Sequence, residues 1–354
     1  NSMEKLLLDG NEASAEAAIR AGCRFFSGYP ITPQTEILEY LSWRMTEVGG
    51  DFIQTESEIA GINMLFGAAA SGARALTSSS GPGFSLMQEG ISYLAADDIP
   101  AVIINVMRIG SGLGDISLGQ GDYWQMTRGG GHGDYHTIVL APDSVQESAD
   151  LTFDAFNLAE KYRHPVIIAS DAAVGQMVEP VVLPGWVDHN IDRYDWVLKP
   201  RHNSESQRSI VNTFYMMGTE KYPEFLRAKY NSIIANEQRW ENYFADDADF
   251  ILVAYGICAR VCIEAVDIAR EQDLKLGLIR PITLWPFPEL AFQNVVNQVN
   301  GFMSVEMSIL GQMVDDIKLS TGQKRSTHFF GEFGKLPDAR AIVSAVRKIM
   351  ENGA

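Results

Sequence analysis

Two glutamates separated by one residue, Glu56 and Glu58, stand at the head of a segment with helical periodicity. Ile59, Ile62, Leu65 and Phe66 form one apolar stripe there, while Ala60, Gly61, Gly67 and Ala68 let neighbouring backbone approach closely. A carboxylate in that place either complements the helix macrodipole or serves as a positioned acid or base. Composition does not separate the two. A second group is Thr32 in Tyr29-Pro30-Ile31-Thr32-Pro33. The residue before a proline is driven out of the α region, and Ile37, Leu38, Leu41 and Met45 recur at helix spacing afterwards. Thr32 is therefore predicted to be an N-cap, with Pro33 at the first helical position. A helix N-terminus with a free hydroxyl suits a carboxylate or a phosphate, although spacing alone leaves an ordinary capped helix as the simpler account. The third group is the run Ser78-Ser79-Ser80-Gly81-Pro82-Gly83, hydroxyls and small residues closing a strand. The three loops are expected to open onto one cleft at one end of a parallel sheet.

Arg108 follows a continuous apolar run over 101–106, the pattern of a strand buried on both faces. Alone, an arginine there is most simply a solvated charge; against a carboxylate it offers a two-pronged fork. Residues 107–135 form a glycine-rich stretch too long for a plain connection, which marks it as functional. It contains His132, the histidine placed for proton transfer, with a hydrogen-bonded loop residue as the plainer account. Gly110-Ser111-Gly112-Leu113-Gly114 has no clear helix after it and is not read as a dinucleotide loop. Arg280 follows a strand and is read as structural. Cys23, Cys258 and Cys262 complete no iron–sulfur pattern, so core positions in a reducing compartment are expected, and no metal site on this chain.

The elements that position these residues alternate. Strands are predicted over 24–27, 52–54, 74–78, 101–106, 137–140 and 165–169, with helices between them, which implies a parallel α/β sheet. Residues 180–246 are rich in Trp, Arg, Asn and Tyr and lack long periodicity; they read as a surface arm followed by a helical connection through Tyr222-Pro223-Glu224. A second α/β unit of four strands follows, at 250–255, 274–279, 302–305 and 327–330, with helices at 259–272, 289–299, 312–319 and 339–350. The expected division is 1–185, an arm at 186–247, and a smaller Rossmann-like unit at 248–354.

The 354 residues are ample for two cores, with 46% hydrophobic and 21% charged residues, ordinary for a globular protein. A formal net charge of −17 argues against nucleic acid or an anionic membrane as partner. No apolar run approaches the roughly 18 residues a membrane span needs. Asn1-Ser2 before Met3 reads as an expression remnant, with no signal peptide expected, and a cytoplasmic location follows from these expectations.

Tyr29-Pro30-Ile31-Thr32-Pro33, Glu56-Ser57-Glu58 and Thr77-Ser78-Ser79-Ser80-Gly81-Pro82-Gly83 together resemble the catalytic α-type subunit of 2-oxoacid:ferredoxin oxidoreductases. The likeness continues through Gln88-Glu89-Gly90-Ile91-Ser92-Tyr93, Gly129-Gly130-Gly131-His132-Gly133-Asp134-Tyr135, Arg280-Pro281-Ile282-Thr283-Leu284-Trp285-Pro286-Phe287-Pro288 and Ser304-Val305-Glu306-Met307-Ser308. It weakens between about 186 and 248. The branched-chain, 2-oxoisovalerate type is most similar, and the 2-oxoglutarate type follows.

The resemblance implies a thiamine-diphosphate-binding fold: a pyrimidine-type domain with a parallel sheet and flanking helices, plus the Rossmann-like C-terminal domain. It implies that Glu58, with Gly67 nine residues later, is the carboxylate beside the cofactor's aminopyrimidine ring, with Glu56 in reserve. Ser79, Ser80 and Gly81 would line the cofactor pocket. Thr32 and Arg108 would take the substrate carboxylate, with Tyr29 and Ile31 as further substrate contacts. The chain has no Gly-Asp-Gly run, only Gly114-Asp115-Ile116, Gly121-Asp122-Tyr123 and Gly133-Asp134-Tyr135. Diphosphate, Mg²⁺ and a [4Fe-4S] cluster are therefore expected on a partner β subunit, so that thiamine diphosphate is shared between subunits. Further γ and ferredoxin-like δ subunits are compatible with the family, coenzyme A is the expected co-substrate, and ferredoxin the electron acceptor. A non-catalytic assembly subunit is the alternative of another class; retention of Thr32, Glu58 and Arg108 together argues against it.

Overall fold

A computed structural model describes residues 5–189, 194–198 and 213–352. The chain begins with β1 (Leu6–Asp9), α1 (Gly10–Arg20), β2 (Cys23–Gly28), α2 (Thr35–Glu47), β3 (Asp51–Gln54) and α3 (Glu58–Ala70). It continues through β4 (Arg74–Ser79), α4 (Gly81–Leu86), α5 (Gln88–Ala96), β5 (Ala101–Met107), α6 (Tyr123–Thr127) and β6 (Ile138–Leu140). Next come α7 (Val145–Tyr162), β7 (Pro165–Asp171), α8 (Ala172–Gln176), β8 (Val178–Val181) and α9 (Thr213–Asn236). Then follow β9 (Trp240–Tyr243), β10 (Phe250–Val253), α10 (Ile257–Arg270), β11 (Leu276–Pro281), β12 (Thr283–Trp285) and α11 (Leu290–Gln293). The last elements are β13 (Gly301–Glu306), α12 (Met313–Ser320), β14 (Ser326–Gly331) and α13 (Ala339–Glu351).

The larger sheet has seven strands in the order β12-β6-β7-β5-β4-β2-β3. Its pairs are parallel, apart from β12 on β6. Strands β4, β5 and β7 are buried along their whole length, as central strands covered on both faces should be. The second sheet has the order β14-β13-β10-β11-β9, parallel except for β9. A two-stranded ribbon pairs β1 with β8. Helix α1 starts on a reciprocal cap: Asp9 accepts from the Glu12 N–H at 2.7 Å and the Glu12 carboxylate accepts from the Asp9 N–H at 3.3 Å.

Several expectations are corrected. Helix α2 starts at Thr35, not Pro33, and Thr32 does not cap it. The Gln34 side chain donates to the Tyr29 carbonyl at 3.0 Å and accepts from the Ser78 hydroxyl at 2.7 Å, which holds residues 29–34 as a loop against β4. The second unit has five strands rather than four, because Trp240–Tyr243, within the expected arm, pairs antiparallel with β11. Strand β12 leaves that unit and becomes an edge of the larger sheet. The helix expected over 289–299 is regular only across Leu290–Gln293. The 107–135 stretch contains the short helix α6. Helix α9 carries Tyr222-Pro223-Glu224 and bends at Gly218, whose φ of 72° is non-helical. The expected arm at 190–193 and 199–212 lies outside the described residues. No helix among the described residues is long and apolar enough to cross a membrane.

Candidate active site

Four neighbouring parallel strands, β3, β2, β4 and β5, bring their C-terminal ends to one edge of the larger sheet. Ligands of open α/β sheets bind at such an edge. Strand β3 leads through Thr55 to Ser57, the N-cap of α3, whose hydroxyl accepts from the Ala60 N–H at 3.3 Å. The Thr55 hydroxyl donates to the Ser57 carbonyl at 2.8 Å and fixes that turn. Glu58 is thereby the first residue of α3, and only 6% of it is exposed. Glu56, two residues earlier, is exposed. Geometry thus separates two carboxylates that composition could not.

Strand β4 delivers the hydroxyl run. Ser27 donates to the Gly61 carbonyl at 2.8 Å and Thr77 donates to the Ser27 carbonyl at 2.6 Å, so β2, β4 and α3 are tied together below the site. Beyond them, the Ser79 and Ser80 hydroxyls are buried and have no hydrogen-bond partner among the described residues. A buried hydroxyl without a partner is costly unless something else supplies the bond. Gly83 completes this corner. A side chain there would overlap Glu58 Oε1 and Ser79 Oγ together, so glycine is what lets carboxylate and hydroxyl pack against this turn.

Arg108 follows β5 and is 7% exposed. Its Nη1 donates to the Thr32 carbonyl at 3.0 Å and its Nη2 to the Leu113 carbonyl at 2.7 Å. The Nε is buried without a partner among the described residues, 3.4 Å from where a Cβ on Gly81 would stand. Gly81 has φ of +46° and opens α4, so this close approach of arginine and turn suits a residue without a side chain. Of five guanidinium N–H groups two are used by these carbonyls, and the remainder can serve an anion. Thr32 is exposed and meets Arg108 through its carbonyl rather than its hydroxyl. Tyr29 is 39% exposed and Ile31 half-buried on the same loop.

Asp122 stands behind Arg108 and accepts from Asn105 Nδ2 at 3.0 Å. Burial pushes its carboxyl above the usual range, against the Asn105 hydrogen bond, the Arg108 charge and the Gly81 N–H. Gly81, Arg108 and Asp122 line a cavity of about 500 Å³. His132 is not part of it. That exposed histidine lines a separate cavity of about 630 Å³ with Tyr93, Tyr222 and Asp134. Arg280 is buried and pairs with Asp143, Glu147 and Glu241. Cys258 and Cys262 are buried on the core face of α10. Sequence reading missed Gly83, Asp122 and Asn105. Gly83 lay inside a quoted motif, but what its missing side chain allows depends on Glu58, 25 positions away.

Residues 16–242 match the family model described as "Pyruvate flavodoxin/ferredoxin oxidoreductase, thiamine diP-bdg", and residues 248–337 match "Pyruvate:ferredoxin oxidoreductase core domain II". Among curated relatives, the ketoisovalerate oxidoreductase subunit VorB of Methanothermobacter marburgensis is 47% identical over 350 residues, 98% of each chain. The 2-oxoglutarate synthase subunit KorA of Methanocaldococcus jannaschii is 39% identical, over 81% of this chain and 84% of that one. The solved 2-oxoglutarate:ferredoxin oxidoreductase from Magnetococcus marinus, with 2-oxoglutarate, coenzyme A and succinyl-CoA bound, superposes with a TM-score of 0.87 at 26% identity. It covers 97% of this chain, which spans 65% of the length of that one.

Proposed function

We propose a function from one premise: this chain belongs to the thiamine-diphosphate-dependent 2-oxoacid:ferredoxin oxidoreductases, as a subunit of such an enzyme. With its partner subunits it carries out the coenzyme A-dependent oxidative decarboxylation of a branched-chain 2-oxoacid, 2-oxoisovalerate, to the acyl-CoA, with electrons passing to ferredoxin. The observation that carries this reading is the corner formed by Glu58, Gly83 and Ser79. With Ser80 beside it, this corner joins a buried carboxylate, a glycine too close to it to carry a side chain, and two buried hydroxyls with no partner among the described residues. Those groups fit the polar edge of an aminopyrimidine ring, which offers both donors and acceptors.

Thiamine diphosphate, when bound, supplies the carbon nucleophile and the electron sink that 2-oxoacid decarboxylation requires. Glu58 would hold the aminopyrimidine edge and exchange a proton there, with Ser79, Ser80 and the Gly81 turn lining the pocket. Glu56 is exposed and is the weaker candidate. Arg108 would take the substrate carboxylate through the N–H groups not engaged by Thr32 and Leu113. Thr32, Tyr29 and Ile31 border the same end of the sheet, and Thr32 acts by holding Arg108 with its carbonyl.

Diphosphate, Mg²⁺ and the [4Fe-4S] cluster are assigned to partner subunits. The chain has no Gly-Asp-Gly run, and among the described residues no three His, Cys, Asp or Glu side chains group as metal ligands. A β subunit is the required partner, and γ and ferredoxin-like δ subunits fit relatives that are themselves named as subunits. The purified chain with thiamine diphosphate and Mg²⁺ is expected to turn over no 2-oxoacid.

Identity of 47% to a ketoisovalerate oxidoreductase subunit, against 39% to a 2-oxoglutarate synthase subunit, supports the branched-chain substrate. The test is a substrate profile of the assembled complex, following viologen reduction with coenzyme A present. Preference for 2-oxoisovalerate over 2-oxoglutarate and pyruvate is expected. Preference for 2-oxoglutarate overturns the substrate and leaves the reaction class. No turnover of any 2-oxoacid by a complete complex leaves only an assembly role.

A further inference from the structure

The wall of the Arg108 cavity that lies opposite the larger sheet comes from the C-terminal unit. The turn at 307–312, between β13 and α12, contributes Met307, Ile309 and Leu310 to the lining, and Phe333 stands beside them. The turn is held firmly. The buried Glu306 carboxylate accepts from the N–H groups of Gln312, Met313 and Val314 at 2.8, 3.1 and 3.1 Å. Gly311 takes φ of +76° and donates to the Ser308 hydroxyl at 3.2 Å.

Two glutamines then lock the turn to the glycine-rich stretch. Gln120 donates its N–H to the Met307 carbonyl at 2.7 Å and accepts the Met307 N–H at 3.2 Å on its side chain. Gln312 donates from Nε2 to the Gly121 carbonyl at 2.7 Å and accepts the Trp124 N–H at 2.8 Å. A turn fixed this well nevertheless presents large apolar side chains outward: Ile309 is 62% exposed and Leu310 83%. Exposed apolar side chains on stiff backbone are suited to contact with an apolar ligand group, because little ordering entropy is left to lose.

The charges around the cavity narrow the ligand. Arg108 is the only Lys or Arg among the described residues lining it, and Asp122 is its carboxylate. A 2-oxoacid whose own carboxylate meets Arg108 would find apolar side chains for its other end, and no second cation among the described lining residues. We propose that Ile309 and Leu310 are specificity-determining residues that contact the alkyl part of the substrate and disfavour a dicarboxylate. The proposal rests on the reading of Arg108 as the carboxylate-binding group. It gives the C-terminal unit a part in substrate choice that its strands and helices alone do not suggest.

The experiment measures kcat/KM of the assembled complex for 2-oxoisovalerate, pyruvate and 2-oxoglutarate, in wild type, Leu310→Ala and Leu310→Lys. Leu310→Ala is expected to lower kcat/KM for 2-oxoisovalerate about tenfold, chiefly through KM, and to leave pyruvate within about threefold, since loss of apolar contact is felt by the larger side chain. Leu310→Lys is expected to raise the ratio of 2-oxoglutarate to 2-oxoisovalerate by at least about tenfold. Ratios unchanged in both variants overturn the proposal, as does loss of a partner subunit from both on size exclusion, which would make the turn a subunit contact. A wild-type preference for 2-oxoglutarate is a separate failure, that of the substrate reading; the ratios in the variants still report whether position 310 meets the substrate.

Discussion

Gly83 lies against the Glu58 carboxylate so closely that a single added methyl would overlap Oε1 and reach Ser79 Oγ as well. Both obstructing oxygens belong to side chains, at the head of α3 and the end of β4, so an added methyl is accommodated by rotating them out of their present places. Gly83→Ala should therefore displace the carboxylate and cut kcat of the assembled complex by about 100-fold or more, the scale expected when a reacting group is shifted by about an ångström. Because the atoms in the way are side-chain oxygens and not backbone, the melting temperature should fall by only a few degrees. Activity within about threefold of wild type would show that the Glu58 carboxylate position does not matter.

The two glutamates make a sharper pair. Glu58→Gln keeps size and shape, removes the charge and the exchangeable proton, and turns one acceptor oxygen into an NH2 donor. It should abolish 2-oxoacid turnover while the subunits stay together on size exclusion. Glu56→Gln, at an exposed position, should leave kcat within about twofold. The reverse pattern would move the role to Glu56, and activity in both variants would remove carboxylate chemistry from this loop.

Arg108 is gripped by two carbonyls that a lysine cannot reach at once, since its single ammonium lacks the planar fork. Arg108→Lys should raise KM for the 2-oxoacid by about 10- to 100-fold, with KM for coenzyme A changed far less. An equal rise in both would argue that Arg108 shapes the cavity as a whole rather than binding the carboxylate.

What the sequence disclosed of this site was local. Glu58 could be placed at a helix head because the apolar stripe that follows is contiguous with it, and Arg108 at a strand end because 101–106 is an unbroken apolar run. Thr32 was misplaced as a cap because what keeps residues 29–34 non-helical is Gln34 reaching Ser78, 44 residues away, and no periodicity reports such a bond. The same holds for β12, whose three residues pair with β6 across more than 140 positions, and for Trp240–Tyr243, too short and too polar to announce an edge strand. His132 shares its stretch of chain with Arg108, yet the fold sends the two into different cavities. Local pattern together with the family resemblance picked out the candidate residues; which of them meet was decided by contacts between distant segments.

Arg280 illustrates a buried charge with a structural task. It is 5% exposed and faces Asp143 and Glu147 at the start of α7 and Glu241 on β9, so it joins the larger sheet's outer helix to the C-terminal sheet. Removing one partner of a buried ionic cluster leaves the others unpaired, at a cost of about 3–5 kcal/mol. Arg280→Met should destabilise the chain on that scale in urea unfolding without altering the substrate profile of complexes that still assemble. A cost below about 1 kcal/mol would mean that water or rearrangement compensates the carboxylates.

His164 gives a pH dependence whose sign is fixed by burial. Its ring is fully buried between β7 and α9, Nε2 bonds to the His136 carbonyl, and Nδ1 has no partner among the described residues. Burial, helped by the charge of Lys229, holds its pKa well below the usual 6.5, against the bond to the His136 carbonyl. Below pH 6.5 the unfolded chain takes up a proton on this residue while the folded chain does not. The contribution is therefore fully present above pH 6.5 and is lost as the pH falls below it, with a limiting slope of about 1.4 kcal/mol per pH unit. Between pH 6.5 and 5.5 the wild type should lose about 1 kcal/mol more than His164→Gln, measured by urea unfolding at each pH. A stability difference between the two proteins that does not change across that interval would show that the folded chain binds this proton as readily as the unfolded one.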